Sequence, residues 1–79
     1  MSLNPTELQT IKDAFNDWAK NHPTPDAPAI GIGSGDILSA KEVAQAVNNG
    51  TAQGEALLEM VEHSVRREGL YKTIARFTR

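Results

Sequence analysis

The feature that most constrains the fold of this chain is one stretch in which helix-breaking residues are concentrated. Three prolines and three glycines fall within residues 22–38 and exclude a regular helix there. Loops of this length without structure of their own are uncommon inside compact domains. Four aliphatic side chains argue against full disorder: Ile30, Ile32, Ile37 and Leu38. We therefore expect an extended segment that these side chains hold across neighbouring helices.

Residues 4–21 carry the pattern of an amphipathic helix. Asn4 is a good N-cap, Pro5 suits the first helical position, and Glu7 completes a variant of the capping box. Apolar side chains recur at spacings of three and four and so share one face: Leu8, Ile11, Phe15 and Trp18. The helix ends before Pro23, because a residue that precedes proline avoids the helical region.

A second, shorter helix follows the segment rich in proline and glycine. Ser39 and Glu42 form a full capping box, which predicts a helix over 39–49. Gly50 ends this helix, because a left-handed residue commonly follows a helix end. The helix buries small and β-branched side chains: Val43, Ala44, Ala46 and Val47.

A third helix is predicted over 51–68, with Thr51 as its cap. Its apolar stripe consists of Gly54, Leu57, Leu58, Val61 and Val65. The glycine of this stripe lies near the first turn, where it costs little and permits the close approach of a neighbouring element.

Gly69 separates the third helix from a last helical segment, 70–78, whose apolar residues are Leu70, Ile74 and Phe77. At about 100° per residue, an unbroken helix would place these residues on the side opposite the stripe of the third helix. A break just past the third helix, at the glycine, allows both stripes to be buried in one core. The alternative is one long helix whose C-terminal stripe contacts a second chain.

Length and composition indicate one small globular domain over residues 1–79. Hydrophobic residues make up 39% of the chain and charged residues 23%, which is ordinary for a globular protein and too apolar for a disordered one. We therefore predict an all-α fold, a compact bundle of three to four short helices with a long loop between the first and second.

Several classes of protein are disfavoured by what the sequence lacks. There is no cysteine, which excludes a disulfide framework, a thiolate zinc site and a thiol nucleophile. No apolar stretch approaches the length of a bilayer span. The N-terminus has no basic region followed by an apolar run, so we expect no secretory signal and a soluble, cytoplasmic protein.

The glycine-rich run at 31–35, ahead of a helix, invites comparison with phosphate-binding loops. No strand is predicted before the run, it contains no lysine, and Asp36 places a carboxylate where a phosphate would lie. Its spacing matches neither the dinucleotide fingerprint nor the P-loop. We interpret it as a flexible connector without a cofactor.

Carboxylates and a histidine share the outer face of the third helix. Glu59 and His63 lie four residues apart and could share a metal, but a metal site needs three or four ligands. Glu59–His63 and Glu62–Arg66 are also ordinary charge pairs of a solvated helix face. We therefore predict no metal site, no catalytic residue and no enzyme activity.

Charge is distributed unevenly along the chain. Residues 1–62 hold three of the eight basic residues and nine of the ten acidic ones, whereas residues 63–79 hold five basic residues and one acidic one. Lys72, Arg76 and Arg79 recur on one face of the last helix. Such a face suits phosphates or an acidic partner, although positive charge also stabilises a C-terminal helix end.

Met60 and Tyr71 are two further candidates for a partner surface. Met60 lies off the stripe of its helix, where a methionine covers a neighbour or marks an interface. The leading hypothesis is a protein-interaction or accessory module that binds another protein or itself, through Met60, Arg67, Tyr71, Lys72, Arg76 and Arg79. The alternative is a nucleic-acid-binding accessory protein that uses the basic C-terminal helix, although the net charge of the chain is −2.

Overall fold

The computed structural model describes residues 3–33 and 35–78. In chain order the helices are α1 (Pro5–Asn21), α2 (Ala40–Asn49), α3 (Ala52–Glu68) and α4 (Leu70–Phe77). Two short strands lie between the first two helices, β1 (Pro28–Gly31) and β2 (Ile37–Ser39). The fold is therefore mostly helical, with a small sheet between α1 and α2.

The fold is mostly helical and compact, as predicted, but the small sheet within the predicted loop means that it is not purely all-α. β1 and β2 pair antiparallel, with Ile30 opposite Leu38 and both side chains buried. Ile32, just after β1, is buried as well, whereas Ile37 is 64% exposed and does not hold the segment in place as expected. Strand pairing satisfies backbone groups of a segment that its prolines and glycines prevent from becoming helical.

The turn between the strands depends on Gly35, which has a φ of 92°. Residues with a side chain rarely adopt this positive φ. The N–H of Gly35 donates to the carbonyl of Ile32 at 3.0 Å, and the N–H of Ile32 donates to the carbonyl of Asp36 at 2.9 Å. The expectation that no strand precedes the glycine run is also wrong, because β1 ends within the run at Gly31.

Side-chain caps determine where the first three helices begin. Asn4 with Glu7, and Ser39 with Glu42, form reciprocal capping boxes. The hydroxyl of Ser39 accepts from the N–H of Glu42 at 3.2 Å, and the carboxylate of Glu42 accepts from the N–H of Ser39 at 3.0 Å. The hydroxyl of Thr51 caps α3. All three predicted caps are confirmed, because capping chemistry is local in sequence.

The hydrophobic core lies where α1, the hairpin, α2 and α3 meet. Its buried members are Ile11, Phe15, Ile30, Ile32, Leu38, Val43, Val47, Leu57, Leu58 and Val61. α4 closes one side of this core, with Leu70 and Phe77 packed against it. Trp18 is only partly buried and lies at the margin of the core.

α2 and α3 approach each other closely at Gly54. A β-carbon at this position would overlap the carbonyl oxygen of Ala46 and crowd the backbone of Val47. The predicted role of this glycine, to let a neighbouring element come close, is therefore confirmed. Contact of backbone with backbone leaves no flexible side chain that could move aside.

Gly54→Ala is expected to lower the free energy of unfolding by about 1–3 kcal/mol, because α2 and α3 must separate to accept the methyl group. Gly31→Ala is the matched control, since its β-carbon would meet no heavy atom within 4 Å. That variant is expected to stay within about 0.5 kcal/mol of the parent protein. Urea denaturation measures both changes, and equal midpoints for the two variants would contradict the close approach.

Candidate functional site

The position of α4 depends on the corner that the chain makes at Gly69. This residue has φ 93° and ψ 166°, a backbone conformation that is essentially restricted to glycine. Its N–H donates to the carbonyl of Val65 at 2.8 Å at the end of α3, and its carbonyl accepts from the N–H of Thr73 at 3.2 Å in α4. The predicted break with positive φ is confirmed, and the alternative of one long helix is wrong.

α4 folds back from this corner onto α1. The rings of Phe77 and Phe15 meet edge to face, with their centroids 6.4 Å apart. Such aromatic pairs stabilise a contact by about 0.5–1.5 kcal/mol beyond the area they bury. The two ends of α4 are thus held by different interactions, the glycine corner at Leu70 and the aromatic contact at Phe77.

A buried pair of hydroxyl groups joins α3 to α4. Thr73 and Ser64 are 1% and 3% exposed, and their hydroxyl oxygens lie 2.9 Å apart. The hydroxyl of Ser64 lies 3.3 Å from the carboxylate of Glu68. The hydroxyl of Thr73 also lies 2.8 Å from the carbonyl of Gly69, which can only accept. Each hydroxyl has one proton, so Thr73 donates either to Ser64, which then donates to Glu68, or to Gly69 while it accepts from Ser64. The chain of hydrogen bonds therefore satisfies both buried groups.

The most buried residue of α4 was missed in the sequence. We expected Leu70, Ile74 and Phe77 to form the buried stripe, but they are only partly buried while Thr73 is fully buried. The available signal was spacing, since Thr73 lies three residues after Leu70 and four before Phe77 and so shares their face. Because threonine is polar, it was not counted as part of the apolar stripe. The serine that satisfies its hydroxyl belongs to a different helix, so the sequence does not show that the two residues meet.

Thr73→Val is expected to cost about 1–2 kcal/mol of unfolding free energy, because the shape is kept while the hydrogen bond to buried Ser64 is lost. In the double variant with Ser64→Ala, neither hydroxyl remains to be satisfied. The combined cost should therefore be at least about 0.5 kcal/mol smaller than the sum of the single costs. A double-mutant cycle by chemical denaturation measures this coupling, and strictly additive costs would rule out the hydroxyl pair.

Three of the predicted partner residues surround the corner, at the end of α3 and the start of α4. Arg67, Tyr71 and Lys72 are all exposed, and we call them the corner surface. Tyr71 is 82% exposed, and within residues 3–33 and 35–78 it is one of two large hydrophobic residues that are exposed in this way. In the same part of the chain, neither Arg67 nor Lys72 takes part in an ion pair.

Arg76 has a different environment from the corner surface. Its guanidinium pairs with the carboxylate of Glu68, across the corner. Arg66 likewise pairs with Glu62 at 3.0 Å within α3. Part of the positive charge of the C-terminal stretch is therefore balanced locally. Arg79, the last member of the predicted basic face, lies outside the described residues.

Met60 lies at the margin of the core. It is partly buried and packs against the core residues. It lies seven residues before Arg67 on α3, so the two residues share one face of that helix, two turns apart.

The outer side of α3 carries an open groove lined by Glu55, Leu58, Glu59, Glu62 and His63, with a volume of about 540 Å³. The three carboxylates and the imidazole of this groove are of the types that bind metal ions. Within the described residues, no three His, Cys, Asp or Glu side chains are arranged to hold a metal ion. In the same residues, no helix has both the length and the hydrophobicity that crossing a membrane requires.

The glycines of the glycine-rich run lie at the end of β1 and in the connection to β2. The carboxylate of Asp36, at the end of the run, accepts a hydrogen bond from the side-chain amide of Gln53 at 3.2 Å. This bond joins the hairpin to the start of α3. Ser34, which lies within the run, is outside the described residues.

Comparison with known proteins assigns this chain to no family. No protein-family model matches the chain, and no curated protein or solved structure is significantly similar to it. A fold alone does not define a function. The side chains of the corner surface and of α3 are therefore the basis for assigning one.

Proposed function

We propose that the protein is a non-enzymatic interaction module that binds another protein through the corner surface. The observation that carries the proposal is the exposure of Tyr71, 82% of which is accessible to solvent on the short helix α4. Tyrosine and arginine are enriched at the centres of protein interfaces. The corner surface combines both residue types with a lysine.

The anchoring of α4 supports this proposal. α4 is held by the glycine-specific turn at Gly69, by the hydroxyl pair of Thr73 and Ser64, and by the ring of Phe77. A surface that is already ordered loses less conformational entropy when it binds. Tyr71 therefore lies on a helix that is anchored at its start, its middle and its end.

The charge of the corner surface indicates the chemistry of the partner. Arg67 and Lys72 lie on either side of Tyr71 in the sequence and form no ion pair within residues 3–33 and 35–78. An acidic rim on the partner would complement these cations and speed association. An apolar pocket within that rim would take the ring of Tyr71. The proposed partner is thus a protein with an acidic surface around an apolar pocket.

A photo-reactive phenylalanine analogue in place of Tyr71 is expected to crosslink one discrete protein in extracts of the native host. Excess parent protein should compete for this product, whereas excess Tyr71→Ala protein should not. Loss of a central interface aromatic costs about 2 kcal/mol or more, which is about a 30-fold loss of affinity.

The matched control places the same photo-reactive residue at Lys20, which is exposed on α1. It is expected to give no product that the parent protein competes away. The proposal is contradicted if the products at the two positions are the same, or if Tyr71→Ala protein competes as well as the parent does.

The nucleic-acid alternative leads to a different measurement. Arg66 and Arg76 are paired with carboxylates, and the net charge of the chain is −2. We expect no sub-micromolar binding of oligonucleotides at physiological salt, because among the lysines and arginines of residues 63–78 only Arg67 and Lys72 remain unpaired to displace counterions from phosphates. Fluorescence anisotropy across a salt series measures this. Tight, salt-sensitive binding that Arg76→Glu abolishes would favour the alternative over the protein-interaction proposal.

A further inference from the structure

The junction between α2 and α3 contains the pair Asn49–Gly50, at which α2 ends. Both residues are exposed. When glycine follows asparagine, its backbone nitrogen attacks the side-chain amide more readily than that of other residues, because no β-carbon hinders the approach. The reaction requires that the N–H of the glycine and the amide of the asparagine are both available.

The backbone N–H of Gly50 is available. The residues that follow α1, α3 and α4 each donate their N–H to a carbonyl of the helix that they end. Within residues 3–33 and 35–78, Gly50 makes no such hydrogen bond. The carbonyl of Ala46, four residues earlier, lies against the backbone of Gly54. The end of α2 therefore differs from the other three helix ends in leaving its N–H free to react.

The side chain of Asn49 is available as well. The side chains of the other four asparagines are all hydrogen-bonded: Asn4, Asn16, Asn21 and Asn48. In the part of the chain that the structure describes, the amide of Asn49 has no hydrogen bond. It borders an open groove of about 180 Å³ between α2 and the start of α3, so water reaches it.

We propose that Asn49 deamidates spontaneously in the folded protein, and that this modification loosens the contact between α2 and α3. The nitrogen of Gly50 loses its proton to solvent base and attacks the side-chain carbonyl carbon (Cγ) of Asn49. The new N–Cγ bond closes a succinimide ring, and the Cγ–Nδ2 bond breaks, so that ammonia leaves with a proton from water. Water then opens the ring at either carbonyl, which gives aspartate or isoaspartate at this position.

The fold permits the motion that the attack requires. The peptide unit between Asn49 and Gly50 must rotate out of its helical orientation to bring the nitrogen to Cγ. Among the described residues, no hydrogen bond holds the N–H or the C=O of this unit. Opposite changes of ψ at Asn49 and φ at Gly50 turn the unit without moving the helices on either side. Glycine accepts such a change, and no heavy atom lies within 4 Å of where its β-carbon would be.

Both products change the end of α2. Each places a carboxylate at the C-terminal end of the helix, where the helix dipole disfavours negative charge. Isoaspartate also adds the β-carbon to the main chain, which lengthens the connection to the cap residue Thr51. This connection holds Gly54 against the carbonyl of Ala46, and that contact has no flexible side chain to absorb a displacement. The protein that contains isoaspartate should therefore unfold at lower urea than the parent.

This inference goes beyond the proposed function, because it concerns the junction of α2 and α3 and needs no partner. Its test uses the purified full chain alone. Failure of the test would leave the proposal about Tyr71 standing, and failure of the crosslinking experiment would leave this inference standing.

The test incubates the full chain in mildly alkaline buffer, with and without denaturing guanidinium chloride, and follows every asparagine by peptide mapping and mass spectrometry. We expect Asn49 to react before the other four, with isoaspartate detected by an isoaspartyl methyltransferase. Because no hydrogen bond must break first, the folded rate should lie within about tenfold of the unfolded rate, or about 1.4 kcal/mol of activation free energy. Greater protection by folding, or faster reaction at another asparagine, would overturn the proposal.

Asn49→Gln is expected to abolish the reaction, because the longer side chain would have to close a larger ring. Asn48→Gln is the matched control, since it makes the same change at the preceding exposed residue. Deamidation in that variant should proceed as in the parent protein. Equal rates in the two variants would contradict the assignment to Asn49.

The loosening of the junction has its own measurement. The isoaspartate form is purified by chromatography, and its urea midpoint is compared with that of the parent. We expect a lower midpoint, and a smaller decrease for Asn49→Asp, which adds the charge without lengthening the main chain. An unchanged midpoint for the isoaspartate form would overturn the proposed loosening.

Discussion

The structure depends most on the change of direction at Gly69. The apolar residues of α3 and α4 lie on opposite sides of any continuous helix, so one core can bury both only if the chain turns between them. The positive φ of this glycine provides the turn. Once the chain has turned, Phe77 reaches Phe15 and Thr73 reaches Ser64. The outer sides of α3 and α4 are then left exposed to solvent.

Features that depend on near neighbours in the sequence could be predicted. The caps at Asn4, Ser39 and Thr51, the close approach at Gly54 and the break at Gly69 each follow from one or two residues and local geometry. The hairpin could not be predicted in the same way. Its prolines and glycines resemble a loop, and strand pairing depends on register between separated residues such as Ile30 and Leu38.

The candidate site was predictable in its residue types but not in its contacts. The sequence identified the basic C-terminal stretch, and Arg67, Tyr71 and Lys72 are exposed as a partner surface requires. It could not indicate that Arg76 pairs with Glu68, because that ion pair exists only after the corner brings α4 back beside the end of α3. Because Arg76 is paired, the proposed partner surface is a tyrosine flanked by two cations rather than a row of cations.

The most direct test of this account is whether α4 lies against α1 in solution. Nuclear Overhauser effects between ring protons of Phe15 and Phe77 report on that contact, because the ring centroids are 6.4 Å apart. The structure predicts that these effects are observed and that the sequential helical pattern is interrupted at Gly69. An uninterrupted helical pattern from α3 into α4, without contacts between the two rings, would contradict the corner and the surfaces that depend on it.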